Sequence, residues 1–302
     1  MRTRILVPLA LLMLFLIGCD VRIDKSALSL KYDPRTDTLE GVCINEGIFT
    51  VKDKAIADAT ETIIACLEGK RSLHFGTGMG HCFDFDGEEL PSDPDELWAN
   101  RQVYVDSAHI YLDGEDRLSA VQRFHVSQFS HVLDILNQQI NRNIIEDLVD
   151  EQPTAEDDSD GDLDQRSIDL MLRSARQGTP WFRLDGNELI GEIPMSQEYW
   201  AELRRSILVA SLKESNNSFW VSFVQLMAQM SELRWDRDAL HFRLGGLIDG
   251  VVQLAEDADL DQQYNDLVLQ SLEDAGYLTN PDINEDSVRN WLHPQEQPAQ
   301  EK

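Results

Sequence analysis

Turn sequences between alternating apolar and polar segments constrain the fold of this chain more than any other feature. Asp113-Gly114 and Asp185-Gly186-Asn187 are turns of the kind that joins two antiparallel strands, and the segments around 33–37 and 236–238 are similar. Each turn therefore predicts a β-hairpin. The predicted strands are 27–32 and 39–44, 103–112 and 118–126, 181–184 and 188–193, and 233–235 and 239–244.

Apolar residues at helical spacing follow these hairpins. The pattern predicts helices at 54–67, at about 127–149, after a Ser196 cap, from Leu247 onward, at 219–230, at 264–275 and in a short segment that ends near Leu292. Hairpins followed by helices indicate an α+β fold with a mostly antiparallel sheet. We expect two small halves, residues 19–150 and 166–292, joined by an acidic linker at 151–165 and followed by a disordered tail at 293–302.

The first eighteen residues have the organisation of a secretory signal peptide. A cationic start, Met1–Arg4, precedes an apolar run from Ile5 to Ile17. A transmembrane helix needs about 20 apolar residues, so this run is too short to span a bilayer comfortably. We therefore expect a leader that is removed from the mature protein.

The leader ends in Leu16-Ile17-Gly18-Cys19, which resembles the lipobox of bacterial lipoprotein precursors. The resemblance implies transfer of diacylglycerol to the Cys19 thiol, cleavage after Gly18 and, usually, acylation of the new amino terminus. Two or three acyl chains hold a protein stably on a membrane without a spanning segment. The predicted location is a bacterial cell membrane, with the body facing the periplasm or the exterior, and the choice between inner and outer membrane stays open.

The mature chain is strongly acidic. Its formal net charge falls from −29 to −31 when the leader and its two arginines are removed. A field of this sign repels nucleic acid and anionic headgroups, which argues against both as direct partners of the folded surface. We expect the membrane to be contacted through the lipid, and the partners to be other envelope proteins.

An acidic segment at 156–164 resembles a calcium loop of the EF-hand or dockerin type. Acidic residues alternate, Gly161 supplies a turn, and Leu163 lies where an apolar residue is expected. The resemblance implies calcium as a cofactor, with the ligands Glu156, Asp158, Asp160 and Asp162. Ser167 replaces the closing bidentate glutamate, so a solvated acidic linker without any cofactor is the alternative.

Three cysteines remain after Cys19 is assigned to the lipid. Cys43 lies in the predicted strand 39–44 and Cys82 in a further short predicted strand at 81–85, and a disulfide between them is one open pairing. Cys66 lies on the apolar stripe of the predicted helix 54–67, which favours a buried small side chain. His74, His81 and Cys82 border a glycine-rich loop, but their spacing matches no metal motif.

Motifs of the common hydrolases and nucleotide-binding proteins are not found in the sequence. It has no G-x-S-x-G, no H-E-x-x-H and no phosphate-binding loop ending in Gly-Lys-Ser/Thr. We therefore expect a lipid-anchored envelope lipoprotein with a non-catalytic structural, binding or assembly role. A membrane-anchored hydrolase with a carboxylate site and a weak calcium-binding module are the alternatives.

Overall fold

The computed structural model describes residues 21–50, 55–70, 92–150, 165–201, 234–244, 247–253 and 262–292. Helices and two antiparallel sheets make up these ranges, which confirms the predicted α+β class. The hairpin of β1 (Val21–Asp33) and β2 (Thr38–Thr50) forms the centre of the larger sheet. Both of its strands are 13 residues long.

The larger sheet has the strand order β3-β4-β2-β1-β9. Strands β3 (Val103–Leu112) and β4 (Leu118–Ser127) form the predicted hairpin at the Asp113 turn, and β9 (Leu247–Gln253) pairs with β1. The Asp113 carboxylate stabilises this turn by accepting hydrogen bonds from the Glu115 and Arg117 backbone amides. It also pairs with the Arg117 guanidinium at 2.9 Å.

The smaller sheet has the order β5-β6-β8-β7. It consists of two predicted hairpins, β5 (Phe182–Asp185) with β6 (Glu188–Pro194) and β7 (Arg234–Asp236) with β8 (Ala239–Leu244). Gly186 has φ +65° in the first turn, as its sequence predicts. The second turn instead places two residues with side chains, Arg237 and Asp238, at positive φ.

Six helices accompany the sheets in the described ranges. They are α1 (Ala55–Leu67), α2 (Pro94–Asn100), α3 (Phe129–Asp150), α4 (Gln165–Arg176), α5 (Gln262–Asp274) and α6 (Glu285–Leu292). A further helical segment, 197–201, begins after Ser196. The Ser196 hydroxyl accepts a hydrogen bond from the Tyr199 amide, which confirms the predicted cap.

Both faces of the larger sheet are partly covered by helices. Ile110, Leu118 and Ala120 pack on one face with apolar residues of α1 and α5. Ala27, Ile44 and Val121 pack on the opposite face with residues that include Val288 of α6. The sheet thus lies between two helical layers, as a sheet with two apolar faces requires.

Helix α3 connects the larger sheet to the smaller one. Its first part packs with residues of β3 and β4, and its second part, through Ile140 and Ile144, packs with residues of the smaller sheet. Asn137 accepts hydrogen bonds from the Trp181 and Phe182 amides, both at 2.9 Å, and donates to the Phe182 carbonyl at 2.7 Å. Asn141, one turn later, accepts a hydrogen bond from the Trp181 indole at 2.7 Å.

The turn between β1 and β2 caps the start of α3. Asp37 accepts hydrogen bonds from the Ser130 amide and hydroxyl, and Tyr32 donates one to the same carboxylate at 2.8 Å. Burial alone would raise the pKa of Asp37, but the hydrogen bonds from Ser130 and Tyr32 outweigh it and lower the pKa. Burial and the neighbouring carboxylate raise the pKa of Tyr32 to about 12.

Close packing also determines the residue at position 41 of β2. Gly41 pairs with Phe124 of β4, whose ring lies over the glycine. A Cβ atom at position 41 would lie 2.2 Å from Phe124 Cζ and would clash with the ring. Only glycine therefore fits at position 41 while the Phe124 ring stays where it is.

Two sequence-based assignments are wrong. Leu247–Gln253 forms strand β9 and not the predicted helix, because its β-branched residues complete the sheet beside β1. The second is the segment 86–96, whose acidic and proline content predicts a loop but in which helix α2 begins at Pro94. Asp93 caps this helix by accepting hydrogen bonds from the Asp95 and Glu96 amides.

The sheets do not coincide with the two predicted halves. Strand β9 and helix α5, both from the second half, lie in the larger sheet and its core with β1 and α1 of the first half. The linker at 151–165 lies almost entirely outside the described residues, and so does the predicted tail. The division into domains therefore stays a prediction.

Substitution of Asn137 by alanine should lower the free energy of unfolding by about 2–3 kcal/mol, since it removes the acceptor used by two backbone amides. Urea unfolding followed by circular dichroism measures the change. Gln138→Ala, at the exposed neighbouring position of the same helix, is the matched control and should change stability by less than about 0.5 kcal/mol. Equal effects of both substitutions would contradict the role of the Asn137 amide.

The Tyr32 hydroxyl should give the protein an alkaline stability limit. A folded-state pKa of about 12, against 10.0 for the free side chain, means that its stability contribution is complete below pH 10 and is lost as the pH rises toward 12. The urea midpoint of Tyr32→Phe should be lower than that of the wild type at pH 8, and the difference should shrink at pH 11. A difference that is constant with pH would show that Tyr32 titrates normally.

Candidate functional site

Most of the site residues predicted from the sequence lie outside the described ranges. These are the lipid-anchor residue Cys19, the calcium ligands Glu156, Asp158, Asp160 and Asp162, and Cys82 of the open disulfide pairing. All of these assignments stay predictions. Cys43, the remaining site residue, lies in β2 and is 1% exposed.

Strand β1 begins two residues after Cys19. It pairs with β2 from Val21 and Thr50 at this end to Asp33 and Thr38 at the other. A strand of 13 residues extends about 40 Å. The β1–β2 hairpin therefore separates the end next to Cys19 from the turn at Asp37 by most of the length of the sheet.

A row of polar and aromatic side chains crosses the larger sheet near that turn. Tyr104 of β3 pairs with His125 of β4, His125 with Glu40 of β2, and Glu40 with Lys31 of β1. Residues directly opposite each other in antiparallel strands point to the same face. Tyr104 is 47% exposed, and Glu40 and Lys31 are also exposed. We call these four residues the exposed row.

The histidine of the exposed row has a defined orientation. Its ring stacks on Tyr104 with centroids 5.0 Å apart and planes 17° apart. His125 Nδ1 forms a hydrogen bond of 2.8 Å with Asp106 Oδ1. Asp106 lies at a register shift between Val105 and Ser107, and such bulges turn a side chain in a new direction.

Helix α6 borders the exposed row on the same face of the sheet. Arg123 is two positions before His125 in β4, and its guanidinium lies 5.9 Å from the centre of the Trp291 ring. A cation over an aromatic face is attracted by the ring quadrupole. The border of the row thus combines a guanidinium with an indole, which are side chains enriched at protein interfaces.

A histidine with an orienting carboxylate also occurs in catalytic sites, where it activates a nucleophile. In the part of the chain that the structure describes, no hydroxyl or thiol forms a hydrogen bond with His125. Nor do these ranges contain a group of three His, Cys, Asp or Glu side chains able to hold a metal ion. Within the described residues, His125 thus has an orienting carboxylate and a stacked tyrosine ring as its side-chain neighbours.

No helix among the described residues combines the length and the apolar character needed to cross a membrane. The chain matches no protein-family model, no curated protein and no solved structure.

The sequence contained a partial signal for the exposed row. The predicted strands 103–112 and 118–126 already placed Tyr104 and His125 in one hairpin. A two-residue turn at Asp113-Gly114 would pair Leu112 with Glu115, but the structure pairs Leu112 with Leu118 and adds the shift at Asp106. The pairing of Tyr104 with His125 therefore depends on turn geometry that the sequence pattern does not specify.

The acidic segment 156–164 gives a prediction that is independent of the described ranges. If it binds calcium, Ca²⁺ should raise the melting temperature and a chelator should reverse the rise, since a ligand that binds only the folded state stabilises it. The double substitution Asp158→Asn and Asp160→Asn should abolish the shift. Its matched control is the pair Asp257→Asn and Asp259→Asn in another acidic segment. If neither Ca²⁺ nor the chelator changes the melting temperature, the segment is an acidic linker and not a calcium site.

Proposed function

We propose that this protein is a bacterial envelope lipoprotein, anchored by lipid on Cys19, whose acidic α+β body has a non-catalytic binding or assembly role. The observation that carries the proposal is the sequence Leu16-Ile17-Gly18-Cys19 at the end of a short apolar leader, followed within two residues by β1. Lipid on this cysteine would attach the membrane directly to β1, an inner strand of the larger sheet.

The short connection fixes the arrangement of the body at the membrane. Two residues of extended chain reach about 7 Å, so the Val21 end of β1 has to stay next to the bilayer. The turn that includes Asp37 lies at the opposite end of the same hairpin. A partner in the periplasm or exterior would therefore meet the exposed row well away from the lipid surface.

The chemistry of the exposed row supports a protein partner. Tyrosine offers a large rigid contact area, and Lys31, Glu40 and Asp106 offer charges of both signs around it. The overall negative charge would favour partners with cationic surfaces, because complementary fields accelerate encounter. The alternatives are a carboxylate hydrolase and a calcium-binding module at 156–164, a segment that lies outside the described residues.

Removal of the Cys19 thiol should prevent both lipidation and removal of the leader. In envelope fractions, we expect the wild type to require detergent for extraction, to incorporate labelled palmitate and to lose residues 1–18. Cys19→Ala should incorporate no palmitate and should accumulate as the uncleaved precursor. Cys82→Ala, which leaves the leader unchanged, is the matched control and should behave as the wild type.

Mass spectrometry of the purified protein tests directly whether Cys19 carries lipid. A tryptic amino-terminal peptide Cys19–Arg22 that carries acyl chains would support it. An unmodified Cys19, or a leader that is still attached to the wild type after envelope isolation, would overturn it.

A further inference from the structure

Two buried cysteines of this chain, both in the thiol form in this structure, lie between the larger sheet and the last turn of α1. Cys43 lies in β2 directly opposite Gln122 of β4, so both side chains point to the same face of the sheet. Gln122 Nε2 donates a hydrogen bond of 3.1 Å to the carbonyl oxygen of Cys66. Gln122 therefore contacts the backbone of one cysteine and lies beside the other.

The surroundings of the two sulfurs are closed to solvent. Cys43 and Cys66 are each 1% exposed, and Gln122 is fully buried between the sheet and the helix. Cys43 is paired with Gln122, two positions after Ala120, so its side chain extends from the face of the sheet on which Ala120 packs with α1. The helix presents Cys66 there, one turn beyond Ile63, on the stripe that packs against the sheet.

The electrostatic surroundings of Cys43 agree with this placement. Burial raises the pKa of the Cys43 thiol, and the charge of a Cys66 thiolate raises it further. Coulomb interaction falls with distance, so this contribution fits two side chains that lie between the same face of the sheet and α1. A disulfide would remove both ionisable thiols from this apolar interior, where a thiolate is strongly disfavoured.

We propose that Cys43 and Cys66 are joined by a disulfide bond in the exported protein, which leaves Cys82 outside the bridge. The proposal rests on the proposed function, because export places the chain in a compartment where disulfides form and persist. It differs from the open pairing of Cys43 with Cys82 predicted from the sequence. The first cysteine is on a strand and the second on the helix that follows that strand in the chain, so the bridge closes a short loop.

The reaction is an exchange with the disulfide of an envelope thiol–disulfide oxidoreductase. One cysteine thiolate of this chain attacks that disulfide, forms a mixed disulfide and releases one thiolate of the oxidant. The second cysteine thiolate then attacks the mixed disulfide, which forms the Cys43–Cys66 bond and releases the second oxidant thiolate. This chain loses two electrons and two protons, and the oxidant becomes a dithiol. The exchange precedes closure of α1 over the sheet, because the folded protein buries both sulfurs.

Tryptic mapping distinguishes all pairings. Cleavage after Arg35, Lys52, Lys54, Lys70, Arg71 and Arg101 places Cys43, Cys66 and Cys82 on the separate peptides 36–52, 55–70 and 72–101. The full protein is isolated from the envelope, denatured, blocked with N-ethylmaleimide and digested without reductant. We expect peptide 36–52 linked to 55–70. A link from either of these peptides to 72–101, or maleimide on both Cys43 and Cys66, would overturn the proposal.

The same digest separates this proposal from the proposed function. An acylated Cys19–Arg22 peptide together with maleimide on Cys43 and Cys66 would overturn the bridge alone. A bridge between 36–52 and 55–70 together with an unmodified Cys19 would overturn the lipid anchor alone. Each result is read from a separate peptide of one sample.

Thermal melts with and without dithiothreitol give a second measurement. Reductant should lower the melting temperature of the wild type and of Cys82→Ser. In Cys66→Ser the starting melting temperature should be lower, and reductant should have no further effect. Loss of the reductant effect in Cys82→Ser, with its retention in Cys66→Ser, would overturn the proposal even if both variants fold.

Discussion

The packing of the smaller sheet against helix α3 depends on hydrogen bonds made by the amide side chains of Asn137 and Asn141. They are buried on one face of α3, one turn apart, and bind the polypeptide where it enters β5. Apolar contacts along α3 supply most of the buried surface, but apolar contacts alone would tolerate small shifts of α3 relative to the sheets. A buried amide loses free energy unless its hydrogen bonds are satisfied, so these two residues specify one docking position for Trp181.

The hairpins were predictable because their turn residues act locally. Gly186 adopts positive φ between Asp185 and Glu188, as an Asp-Gly turn indicates, and Ser196 caps the helical segment that follows. Strand β9 was not predictable from local pattern. The sequence of Leu247–Gln253 fits either a short helix or a buried strand. It forms a strand because it pairs with β1. The fold class therefore follows from local sequence, and the strand order from tertiary pairing.

The candidate sites were predictable to a smaller extent for the same reason. Burial of Cys66 on the stripe of α1 follows from helical spacing and is confirmed. The neighbour of Cys43 does not follow from spacing, because it depends on which strand lies beside β2 and on how α1 crosses the sheet. The pairing of Cys43 with Gln122 and the hydrogen bond from Gln122 to Cys66 supply this information.

The shape of the sheet is compatible with an acidic body held close to a membrane. Within the described residues, Val21–Ile23 and Ile48–Thr50 pair with each other beyond the point where β4 and β9 pair with the hairpin. This end of the hairpin, where Ile48 is buried beside α1 and α5, would thus lie nearest the bilayer in the proposed arrangement. Repulsion between anionic headgroups and acidic side chains is screened over about 8 Å at physiological salt. Three residue pairs extend about 10 Å, so the part of the sheet in which β4 and β9 pair with the hairpin would begin beyond most of that repulsion.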